Sequence, residues 1–86
     1  MDIATTGAIE RIARVLAGRR LSDNADGDNP HAADAVDAAW RSYRDDAIAI
    51  LKTLREPDVE MERVGDVAVW LRMIQAALDQ AETDPG

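Results

Sequence analysis

From Val36 to Leu54 the apolar side chains fall at Val36, Trp40, Tyr43, Ala47, Ile50 and Leu54, a spacing of four, three, four, three, four. Only a helix of 3.6 residues per turn brings such a series onto one face. Ile48 and Leu51 widen the stripe. The pattern stops at Arg55-Glu56-Pro57, because the ring of a proline pushes the residue before it out of the helical region. One amphipathic helix over 33–54 therefore organises everything else.

The flanking segments read in the same way. Ala8, Ile9, Ile12, Ala13, Val15 and Leu16 make a second stripe, with Asp2 or Thr6 as candidate N-caps and Gly18 as a candidate stop, so a helix is expected over 8–17. Asp58 can cap the short turn VEMERV, which would turn Met61 and Val64 inward before Gly65. Asp66 can cap a last helix over 67–81, with Val67, Trp70, Leu71, Ile74, Ala77, Leu78 and Ala81 facing inward. Between the first two helices, Leu21 to Asn29 (LSDNADGDN) reads as an acidic loop closing on Asn29 as N-cap and Pro30 at the first helical position. The tail from Glu82 to Gly86 reads as a frayed end.

Each stripe covers about half of its helix, so each helix must touch two neighbours. The expected fold is therefore all-α: one domain over residues 1–86, a small three-helix or short four-helix bundle. Trp40, Leu51, Leu54, Trp70, Ile74 and Leu78 are its expected core, with both indoles in one cluster. At 86 residues and without cysteine, that core has no disulfide or thiolate metal site to support it. The first residues lack a basic segment followed by an apolar one, and no run approaches the roughly 20 apolar residues of a membrane span. A cytoplasmic location and no membrane association are expected.

Charge separates along the chain. Ten basic against 17 acidic residues leave a net of −7. Residues 1–20 nevertheless carry +2, through Arg11, Arg14, Arg19 and Arg20 against Asp2 and Glu10. This arginine cluster is the candidate interaction surface; its plainer reading is intramolecular, since an acidic segment follows it directly. Binding to nucleic acid depends on neutralising phosphates with Lys and Arg, so the overall balance argues against it. The last helix has Arg72 against Asp66, Asp79 and Glu82, a poor recognition helix.

No catalytic, cofactor or metal residues are expected. Asn24, Asp26 and Gly27 fit the third, fifth and sixth places of a calcium loop, but Ser22 stands at the first and Ala33 at the twelfth, where carboxylates are required. His31 is the sole histidine, has no partner for metal or nucleophile chemistry, and reads as a surface residue. Asp45 and Asp46 are adjacent, so their side chains diverge by about 100° and do not share a proton. Asp37 with Arg41 or Arg44 reads as ordinary helix support.

The series Trp40-x-x-Tyr43-Arg44, Ala47, Leu51, Leu54-Arg55-x-Pro57, Met61, Gly65 and Trp70-x-x-Met73-Ile74-x-x-Ala77-Leu78 resembles a pattern in small hypothetical proteins of alphaproteobacteria and their phages. The resemblance covers about the last half of the chain. It implies a phage or prophage type of protein and no catalytic residues. The expectation is a non-enzymatic protein–protein interaction module that forms a homo-oligomer, because Val69, Ala76 and Ile48 lie off the main stripes and need somewhere to go. The alternative is an acidic regulator that imitates nucleic acid and occupies a basic groove on another protein.

Overall fold

The computed structural model describes residues 4–24 and 32–83, and these residues form helices with no strand among them. The elements are α1 (Ala8–Asn24), α2 (Ala32–Ala39), a 3₁₀ turn (Trp40–Tyr43), α3 (Arg44–Leu54), α4 (Val59–Val64) and α5 (Val67–Thr83). The fold is a small all-α bundle. α1 packs along the rod made by α2, the 3₁₀ turn and α3, while α5 lies against α3 and touches α1 more lightly.

α1 is longer than its stripe suggested. It runs through Gly18 to Asn24, so Gly18 is an interior position rather than a stop, and the first residues assigned to the acidic loop are helical. A methyl group built on Gly18 would meet Val36 Cγ2 at 3.7 Å, ordinary van der Waals contact. The small residue marks where α2 crosses α1. Residues 25–31, with the rest of the acidic loop, Asn29, Pro30 and His31, lie outside the described residues, as do Asp2 and the tail beyond Thr83. The first intrahelical bond of α1 runs from the Arg11 amide to the Gly7 carbonyl at 3.1 Å, which puts Gly7, not Thr6, at the N-cap position.

The helix expected over 33–54 is interrupted. At Trp40–Tyr43 it tightens into a 3₁₀ turn, where the Ser42 hydroxyl donates to the Ala39 carbonyl at 2.6 Å. A hydroxyl on the carbonyl three residues back competes with the regular α-helical bond. Four residues at three per turn also advance the side chains by about 80° relative to an unbroken α-helix. Beyond Tyr43 the expected stripe is only partly buried. Ala47 and Leu51 are buried and Ile48 packs on the core, whereas Ile50 is exposed and Leu54 is 43% exposed.

The core is Ile9, Ala13, Ala17, Trp40, Ala47, Leu51, Ile74 and Leu78, with Ile12, Val36, Tyr43, Ile48 and Trp70 packed on its edge. Trp40 is central, at 4% exposed, while Trp70 is half-buried, so the indoles share the cluster unequally. Val15 lies nearly opposite Ala13 on α1 and is exposed. Val64 is 88% exposed, not inward, and Val67 and Leu71 are at the exposed margin of α5. Met61 is half-buried.

Two hydrogen bonds fix α3 and α5 antiparallel. Trp70 Nε1 donates to the Leu54 carbonyl at 2.8 Å, and Arg44 Nη2 donates to the Ala81 carbonyl at 2.9 Å. Both acceptors lie in the last turn of a helix, where carbonyls lack an intrahelical partner. The hairpin between these helices is set by two aspartates. Asp58 Oδ1 accepts from the Met61 amide at 2.9 Å, and Asp66 Oδ1 accepts from the amides of Ala68 and Val69 at 2.9 and 3.2 Å. Both are N-caps, as the sequence indicates.

Candidate functional site

The four arginines of the N-terminal cluster do not form one patch. Arg11 and Arg20 are nine residues apart on the same helix, two and a half turns, and so lie on opposite sides of it. Arg11 Nε donates to the Thr6 carbonyl at 3.1 Å, which ties the chain entering α1 to its first turn. Arg19 and Arg20 are exposed.

Arg14 turns toward α2. Its Nε bonds Glu10 Oε2 at 2.8 Å, its Nη1 bonds Asp37 Oδ1, and its guanidinium lies 5.4 Å from the centroid of the Trp40 ring. Hydrogen bonds to the Asp37 and Glu10 carboxylates, in that order, hold its pKa above the ordinary arginine value. Asp37 thus pairs across to α1 and not with Arg41 or Arg44. Arg41 instead stacks over Trp40 at 4.6 Å, and Arg44 reaches Ala81. The arrangement fastens α1 to α2 over the central indole. It leaves Glu10 and Asp37 engaged within the molecule, while the carboxylates of Asp34, Asp45, Asp46, Asp58, Asp66 and Asp79 are spread over α2, α3, the α4 hairpin and α5.

Among the described residues no three His, Cys, Asp or Glu side chains converge as a metal site would require, and no helix is long and apolar enough to cross a membrane. Hollows open on the surface of the described residues, two of them beside α5. One, of about 400 Å³, lies between the chain entering α1 (Thr5, Thr6, Gly7) and α5 (Met73, Ala76, Gln80). The other, of about 240 Å³, lies under α4 between Pro57, Met61, Val64, Val67 and Trp70. Neither brings together a nucleophile, a base and an electrostatic partner.

The largest anomaly is apolar. From Val67 to Leu78 the sequence VAVWLRMIQAAL has only Arg72 and Gln75 as polar residues, yet among the described residues α5 buries Ile74 and Leu78 in the core and sets Trp70, Ala77 and Ala81 at its edge. Val69, Leu71 and Met73 are exposed, Met73 at 62%, and Ala76 is exposed beside them. Val59, Val64, Ile50 and Leu54 continue the apolar surface on α4 and α3. Val69 and Ala76, off the main stripes, are exposed, whereas Ile48 packs on the core. Met73 escaped the sequence reading, although its position four after Val69 and three before Ala76 is itself a helical stripe. Comparison with family models, curated proteins and solved structures yields no match for this chain.

Proposed function

We propose that this protein is a non-enzymatic helical interaction module that self-associates, and that its free surfaces recognise a protein partner. The observation that carries the proposal is α5. A helix that is apolar around most of its circumference belongs inside a larger packed structure, and here Val69, Leu71 and Met73 of α5 stay exposed although α3, α1 and the chain entering α1 lie against it. The open shape supports the same reading. The Cα radius of gyration is 15.1 Å, against about 12 Å for a compact domain of this length. Association would complete a core that the single chain leaves unfinished. A phage or prophage type rests on the sequence resemblance alone.

Sedimentation equilibrium across a micromolar concentration series tests the proposal. The expected result is a mass rising toward twice the 9.4 kDa of one chain. A mass of one chain at several hundred micromolar overturns it.

A further inference from the structure

We infer that the self-association site is the Val69–Met73–Ala76 face of α5, and that it takes α5 of a second copy in antiparallel orientation, with Arg72 of each copy against Asp79 of the other. The inference rests on the self-association proposed above and gives it an interface, an orientation and an ion pair.

At 100° per residue, Val69, Met73 and Ala76 fall within about 60° of arc, shared toward the C-terminal end by Gln80, which lies against Gly7, and Arg72 and Asp79 lie about 20° from each other along one border of that arc. All five residues are exposed. Two identical chains of net charge −7 repel at most approaches, which favours a contact centred on a surface poor in carboxylates. The segment from Val67 to Leu78 has none, whereas α4 places Glu60 and Glu62 among its valines. The centre of the contact is therefore on α5 and not on α4.

Orientation follows from the border charges. In an antiparallel pair related by a two-fold axis, the same flank of each helix faces the same flank of the other, and residues pair about a fixed midpoint. Arg72 and Asp79 are opposite in sign, share a flank and are seven residues apart. A midpoint between Gln75 and Ala76 sets each Arg72 against the other Asp79, giving two identical ion pairs. Ala76, small and near the axis, allows the helices to approach closely, and Met73 of each copy drops beside Ala76 of the other. A parallel pair would carry this flank of the two copies to opposite sides of the contact, so Arg72 and Asp79 would not meet across it. Asp79 accepts from Gln75 Nε2 within its own helix at 2.9 Å, on the exposed surface, and its second carboxylate oxygen is available to a guanidinium.

Single cysteines test the geometry directly, because the chain has none of its own. Under mild oxidation Ala76→Cys should form a disulfide-linked dimer. Val69→Cys should not, since the two copies of residue 69 would stand about 20 Å apart along the axis, beyond the roughly 7 Å between Cα atoms that a disulfide spans. Charge exchange gives a second readout: Arg72→Asp should weaken dimerisation about tenfold or more, and the double variant R72D/D79R should restore it. Circular dichroism of each variant confirms the helical fold. A wild-type chain that stays monomeric removes the self-association itself. A wild-type dimer in which Val69→Cys cross-links as well as Ala76→Cys overturns the orientation. A dimer in which neither cross-links, or in which R72D/D79R fails to restore association, overturns the interface while leaving self-association standing.

Discussion

The Arg14 guanidinium lies over the Trp40 ring, 5.4 Å from its centroid, while bonding Asp37 on the same helix rod and Glu10 on its own. One side chain thus joins α1 to α2 across 23 residues of sequence, and the indole it covers is the largest side chain in the core.

Arg14→Lys should lower the melting temperature, and Arg19→Lys should not. A lysine keeps the charge but has no planar fork to serve two carboxylates and stack on a ring at once. The raised pKa of Arg14 also sets the sign of the pH dependence. A basic group whose pKa is raised on folding contributes fully below its unfolded value and loses that contribution only as pH climbs through the folded one. Melts of the wild type and Arg14→Lys should therefore differ by the same amount at pH 7 and pH 9, where arginine and lysine are both charged. A difference that vanishes by pH 9 contradicts the pairing.

Gly18→Ala should stabilise the protein by about 0.5–1 kcal/mol, the usual gain for replacing glycine inside a helix. The added methyl meets Val36 at an ordinary contact distance, and the backbone at Gly18 is not in the left-handed region. Urea denaturation measures the change. A loss of stability would show that α1 ends at Gly18 after all.

Leu51 and Leu54 sit in one helix but should respond differently to truncation. Leu51 is 3% exposed, and Leu51→Ala should cost about 2–5 kcal/mol, most of the stability of a domain this small. Leu54→Ala should cost about 1 kcal/mol or less, since the residue is 43% exposed and its carbonyl, which accepts from Trp70, survives the substitution. Chemical denaturation at low protein concentration separates the two. Equal costs would restore Leu54 to the core.

The features legible in the sequence are those decided within one helical turn. The stop at Pro57, the caps at Asp58 and Asp66, and the helical period of each segment depend on backbone sterics and on hydrogen bonds between residues three or four apart, so they can be read without knowing what lies across the fold. The apolar excess on α5 belongs to the same class, because Val69 and Ala76 are off the inward stripe whatever that stripe packs against. Tertiary structure alone decided the rest. Gly18 lies inside a helix where α2 crosses close beside it, and Asp37 pairs with Arg14 because α1 packs along α2. Leu54 shares a face of α3 with buried Ala47 and Leu51, yet it is the last residue of that helix and stays 43% exposed. Each of these outcomes is fixed by which surfaces meet, and a periodicity confined to one segment does not carry that information.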